Sequence, residues 1–237
     1  MAVGTLTTVP VPAPRVIDRR VAGGAMVLAP LAAVPLAAAC GLVVAGGNTI
    51  QLPALATAAL ALGVVALGSR GLHLDGLADT ADGLGASYDR AKALDVMRRG
   101  DSGPTGVATL VLVLLVQAGA LTAVGPFAAA AGVLVGRCTL SMACARGVPS
   151  ARPEGLGATV AGSVSRAAAI AVGVAAAGLS TLVPGLPWWR GPLAVVLAYA
   201  VAGALLWRCT QRLGGVTGDV LGAGVEVAVA AALLVLA

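Results

Sequence analysis

The chain has 237 residues, 59% hydrophobic and only 11% charged, with a mean hydropathy of +0.97. A soluble domain usually carries about 25% charged residues, so a soluble enzyme is excluded; disorder is excluded too, despite 33 Gly and 13 Pro, because the chain is too apolar. A net charge of +5 points to no nucleic acid, since excess Lys and Arg is what the cytoplasmic loops of a membrane protein carry.

Seven apolar windows predict an all-α, polytopic membrane bundle of about seven transmembrane helices in a single membrane-embedded domain, 1–237. In chain order they are Val21–Ala45, Leu52–Gly68, Gly106–Val124, Pro126–Ala145, Ala167–Val183, Pro192–Trp207 and Gly218–Ala237. The first begins only after Arg19-Arg20 and is long enough to span, unlike a cleavable leader. The second is expected to continue as helix through Asp75 to Asp82. After it, Asp89–Arg99 reads as a short cytoplasmic helix, capped by Ser87 or Asp89 and broken by Gly100–Gly106. Cys40, Cys138, Cys144 and Cys209 have neither zinc nor redox spacing and read as buried small hydrophobes.

Thirteen of the 15 basic residues fall on alternate connections. Basic loops stay in the cytoplasm. The expected topology therefore has a cytoplasmic N-terminus, an external C-terminus and a cytoplasmic stretch between the second and third windows.

That stretch holds six of the ten acidic residues. Asp75, Asp79 and Asp82 are spaced to share one helical stripe within roughly 60°. Three carboxylates on one stripe repel unless a cation neutralises them. Their hard oxygens fit magnesium or manganese better than zinc. A solvated interfacial helix is the bland alternative, but such a helix would mix in Lys or Glu and would not sit among Gly76, Gly83 and Gly85. His73 points away from the stripe in a regular helix.

A second group lies near the C-terminus. Asp219 and Glu226 are seven apart, so they share a face about 10 Å apart along the axis. Glu226 lies two turns into an apolar window, where a charge costs roughly 2.5–3.5 kcal/mol unless it is partnered inside the bundle. Both are expected to line one cavity with the aspartate stripe. Asp219 has an alternative role as a helix cap. Before it, Arg212, Gly214 and Gly215 offer a cation and close backbone approach to an anion.

The third group is basic. Arg98 and Arg99 follow the stripe, and Arg137 lies inside the fourth window, where an arginine faces a cavity or a carboxylate. Acids for a metal and arginines for phosphates suit phosphoryl transfer. The residues alone do not separate an alcohol phosphotransferase from a diphosphate-binding prenyltransferase.

The run GLHLDGLADTADG, residues 71–83, resembles the cobalamin synthase family of adenosylcobinamide-GDP ribazoletransferases. So do Thr7-Thr-Val-Pro-Val-Pro12, Asp95-Val-Met-Arg98 followed by Gly103 and Gly106, Glu154-Gly-Leu-Gly157, and Leu213 to Ala223. The motifs fall in order over nearly the whole chain. One departure is Arg99-Gly-Asp-Ser102, where many members read Asp-Ser directly after the arginine; it puts the role of Asp101 in doubt.

The resemblance implies that α-ribazole, or its 5′-phosphate, attacks the cobinamide-linked phosphoryl group of adenosylcobinamide-GDP, and that GMP leaves. It implies Mg2+ on Asp75, Asp79 and Asp82, and catalytic roles for these three with Asp219 and Glu226. His73, Arg98, Arg99, Asp101, Arg137, Arg212, Gly214 and Gly215 become the substrate-binding candidates. The expected partners are those two substrates and the lipid bilayer of the cytoplasmic (inner) membrane, with a homo-oligomer left open. Two rivals remain at this point. A CDP-alcohol phosphotransferase would carry an arginine that Asp75-Gly-Leu-Ala-Asp79 lacks. A small transporter would show paired broken helices.

Overall fold

The computed structural model describes residues 1–12 and 14–237. Among them are thirteen helical segments and no strand. These are α1 (Ala2–Leu6), α2 (Arg19–Val27), α3 (Ala29–Ala32), α4 (Val34–Thr49), α5 (Ala54–Gly68), α6 (Leu72–Ala86) and α7 (Arg90–Val96). They continue with α8 (Pro104–Leu121), α9 (Pro126–Ala143), α10 (Leu156–Val160), α11 (Arg166–Ser180), α12 (Arg190–Leu213) and α13 (Gly218–Leu236).

The chain is a polytopic helical membrane protein. α8, α9, α12 and α13 are long and apolar enough to cross a bilayer, and the bent pair α5–α6 raises the number to five. α4 and α11 are apolar but have only 16 and 15 residues, short of the roughly 20 that a span wants. Length and composition therefore support four or five of the seven windows as complete spans. Leu42, Leu67, Ile170 and Leu182 each expose about two thirds or more of their surface, which suits lipid and would be an association hazard in water.

Two windows depart from the expectation. The first, Val21–Ala45, is not one helix but α2, α3 and α4. Pro30 and Pro35 lie in the first turns of α3 and α4, because proline has no N–H to donate and clashes with the preceding turn. The second window does not run straight into the aspartate stripe. α5 stops at Gly68, and α6 leaves it at 91°. Arg70 and Gly71 take the left-handed conformation there, with φ of 58° and 68°, and the Gly71 N–H reaches back to the Ala66 carbonyl. Such a cap ends a helix and turns the chain.

α13 is the central helix, packed on α6, α8, α9 and α12. Small residues let its neighbours approach. A Cβ on Gly136 of α9 would meet Val229, and one on Gly76 of α6 would lie 2.6 Å from the Asp219 carbonyl oxygen. α6 thus runs antiparallel to α13, with His73 beside Gly222 and Gly76 beside Asp219. Its later residues emerge level with the first turns of α8 and α13. The short helix α7 forms as expected, with the Asp89 carboxylate accepting from the Ala91 and Lys92 amides. All four cysteines are buried and unpaired.

Asp82 is used in an unexpected way. Its two carboxylate oxygens accept from the Gly103 N–H at 2.7 Å and the Gly106 N–H at 2.8 Å. It caps α8 from another helix, satisfying donors that α8 cannot satisfy itself. Gly103 and Gly106 are glycines because a Cβ at either would collide with that carboxylate. Replacing Asp82 with Ala should therefore cost about 1–2 kcal/mol of stability, read as a lower melting temperature of the detergent-purified protein. Asp75→Asn, at an exposed position, should melt as the native chain does.

Candidate active site

Asp75 and Asp79 project from α6 where it crosses the first turn of α13, so that they face Asp219. Asp75 is exposed, Asp79 is nearly enclosed at 9% exposure, and Asp219 is half-buried. Asp75 and Asp79 accept no hydrogen bond among the described residues. Arg152 lies on the other side of Asp219, with Nη1 at 3.8 Å from Oδ2. The Thr217 hydroxyl, which caps α13, donates to Asp219 at 3.1 Å. The carboxylates of Asp75, Asp219 and Asp82 lie close enough to Asp79 to repel it, and Arg152 attracts it. One arginine does not balance this group of acids; a further cation would.

Among the described residues no three His, Cys, Asp or Glu side chains converge into a metal cage. Magnesium does not need one, since it is usually held by one or two carboxylates together with substrate phosphates and water. One or two carboxylates drawn from Asp75, Asp79 and Asp219 would suit such an ion. Asp82, expected with Asp75 and Asp79 on the metal, has both carboxylate oxygens hydrogen-bonded to the first turn of α8.

The structure separates Glu226 from this group. Glu226 faces inward as expected, but it sits two turns further along α13 among side chains rather than in an open cavity. Gln117 of α8 donates to its Oε2 at 2.9 Å and to its backbone carbonyl at 3.1 Å. His73 Nδ1 is 3.8 Å from its Oε1 and 3.3 Å from Arg137 Nη2. Arg137 also donates to the Val133 carbonyl and is 1% exposed. A cavity of about 20 Å³ lies between Gln117, Arg137 and Glu226, room for one water. His73 and Arg137, expected at the substrate, are instead members of this enclosed polar cluster.

The other candidates divide the same way. Arg212 donates to the Leu84 and Ser87 carbonyls and stacks on Tyr88 at 4.1 Å, tying down the end of α6. Gly214 ends α12 with φ of 78°, and a Cβ on it would meet the Arg90 guanidinium. Gly215 lies against Pro149 and Ser150, and the Val216 N–H bonds to the Pro149 carbonyl. These glycines make room for protein, not for an open anion cradle. Arg99 pairs with exposed Asp95 at 2.8 Å, and Arg98 and Asp101 are exposed. Sequence reasoning missed Arg152 and Gln117. Arg152 lies two residues before the Glu154-Gly-Leu-Gly157 motif, and that closeness was the one available signal.

Comparison with known proteins follows the same line. The cobalamin-5-phosphate synthase (CobS) family profile matches residues 1–237. A Nocardioides protein named adenosylcobinamide-GDP ribazoletransferase is 48% identical over 235 residues, covering 98% of this chain and 95% of its own. A Frankia casuarinae protein of the same name is 39% identical, covering 98% and 91%. One from Pseudomonas syringae is 36% identical, covering 83% and 82%. No solved structure matches the chain.

The enclosed cluster yields a prediction that separates support from chemistry. Gln117→Leu strips Glu226 of its donor and should cost about 1–3 kcal/mol, seen as an earlier thermal melt. Val227→Leu, one residue along α13, should change the melt little.

Proposed function

This chain belongs to the cobalamin-5-phosphate synthase family, and on that premise we propose that its carboxylate site joins the two halves of adenosylcobalamin. The substrates are adenosylcobinamide-GDP and α-ribazole or its 5′-phosphate. A ribazole hydroxyl oxygen bonds to the cobinamide-linked phosphorus as the bond from that phosphorus to the GMP oxygen breaks. The bonding pair leaves with GMP, and the hydroxyl proton passes to a carboxylate of the site. The product is adenosylcobalamin or its 5′-phosphate. The protein is thus a membrane transferase of cobalamin biosynthesis. The CDP-alcohol phosphotransferase and transporter readings fall with the family match.

The observation that carries the assignment to these residues is the meeting of Asp75, Asp79 and Asp219 from two crossing helices, with Arg152 beside them. Asp75, Asp79 and Asp219 would hold Mg2+, which when bound offsets charge on the diphosphate and polarises the phosphoryl oxygens. One of the three carboxylates orients the attacking hydroxyl and takes its proton. Arg152 restrains Asp219 and adds positive charge for the leaving phosphate. α13 and α6 fix the carboxylates on rigid elements, so little motion is needed to align them.

The carboxylate end of the bundle faces the cytoplasm in this reading, with the chain in the inner membrane. The basic residues on alternate connections support that orientation. Reporter fusions after Gly47 should read as external and after Arg99 as cytoplasmic. The opposite pattern would reverse the orientation.

The decisive assay follows GMP release from adenosylcobinamide-GDP by purified protein. Asp75→Asn and Asp79→Asn should each lower kcat/KM at least about 100-fold, on the scale of losing one charge-stabilising group. Both should still insert and purify. Arg99→Gln, which breaks only an exposed pair, should retain turnover. Activity near the native level in both aspartate variants would refute the site.

A further inference from the structure

A second feature lies at the same end of the bundle. A cleft of about 1360 Å³ opens between the start of α2 and the segment 146–165. Arg19, Arg20 and Arg146 line it, together with Gly147, Ser163 and Ser165, and none of its lining residues is acidic. Arg19 is committed to the protein, donating to the Ala161 and Gly162 carbonyls. Arg20 and Arg146 are exposed, and their side chains have no hydrogen-bond or ion-pair partner among the described residues. Ser165 caps α11, so the positive end of a 15-residue helix also opens here. A concave surface with one sign of charge concentrates ligands of the other. The volume exceeds the roughly 300–1,000 Å³ of ordinary small-molecule pockets, so the cleft admits a body larger than an isolated phosphate group.

One chain segment separates the cleft from the carboxylates. Pro149 and Ser150 form its wall. They are held to Val216 by the Val216 N–H to the Pro149 carbonyl, and Ala151 donates back to the Val216 carbonyl. Two residues past Ser150, Arg152 reaches Asp219. On the inner side, Gly157 packs directly against Val216 and Thr217. A ligand in the cleft therefore lies alongside the segment that positions Asp219.

We propose that this cleft holds GMP after it leaves the carboxylates, with Arg20 and Arg146 pairing with its phosphate until it is released. The inference rests on the reaction proposed above and adds a binding site to it. Neither arginine side chain holds the fold by a hydrogen bond or ion pair, so both can be replaced with the backbone contacts kept, and thermal melts check that.

The test is equilibrium binding of GMP to the full-length protein in phosphatidylcholine nanodiscs. The native chain should bind GMP, and Asp79→Asn, which lacks turnover, should bind it as well. The Arg20→Gln, Arg146→Gln double variant should bind GMP at least about tenfold more weakly, as expected for the loss of two charge-assisted contacts. Lys92→Gln, an exposed charge outside the cleft, should bind as the native chain does. Unchanged GMP affinity in the double variant would overturn the proposal, as would no binding by the native chain. Adding phosphatidylglycerol distinguishes the other source of phosphate: if it displaces GMP competitively, the cleft is a lipid headgroup site and the nucleotide assignment fails. Failure here with normal GMP release from adenosylcobinamide-GDP leaves the catalytic reading intact, whereas absence of that release in the native chain defeats the catalytic reading itself.

Discussion

A side chain on Gly76 would strike the backbone of Asp219, and one on Gly222 would crowd the backbone of His73. α6 and α13 therefore meet backbone to backbone, and the site depends on that closeness. It sets the carboxylates of two helices face to face at the end of the bundle. Like charges held this way repel, and burial worsens the repulsion. The fold tolerates the arrangement because packing on both sides of the crossing is rigid. A site that leaves charge unbalanced in the resting protein binds best what supplies the opposite charge.

Beneath the crossing lies a second polar layer with a different task. Glu226, Gln117, His73 and Arg137 come from α13, α8, α6 and α9, the helices that flank the site. Each would be costly alone in an apolar bundle. Together they satisfy much of one another's bonding, although His73 Nε2 and Arg137 Nε lack a partner among the described residues. Such a network tolerates few alternative registers between helices. It ties α6 to α13 and α9 just beneath the point where Asp75 and Asp79 lie opposite Asp219.

The parts of this architecture legible in the sequence were those governed by local pattern. Apolar windows located the helices, Asp89 marked the cap of α7, and an acid two turns into α13 had to face inward. The joining of Asp219 to the aspartate stripe was also foreseen. What was not legible depends on contacts distant in sequence. Asp82 has the spacing of a metal ligand, yet its oxygens bind the amides of Gly103 and Gly106 on α8; the helical period carries no information on that partner. Gly214 and Gly215 look like an anion cradle, but their open space is filled by Arg90 and Pro149. Arg152 acts on Asp219 across a long separation, and its nearness to the Glu154-Gly-Leu-Gly157 motif does not reveal that partner. The break of the first window at Pro30 and Pro35 was written in the sequence, but apolar length outweighed it.

The central claim is that Asp75, Asp79 and Asp219 form the metal site and that Glu226 supports it from below. Manganese in place of magnesium makes this visible by electron paramagnetic resonance, with the diphosphate substrate present. The account predicts a protein-bound manganese signal that disappears in Asp79→Asn and persists in Glu226→Gln. A bound signal that survives Asp79→Asn, or that is lost only in Glu226→Gln, would contradict it.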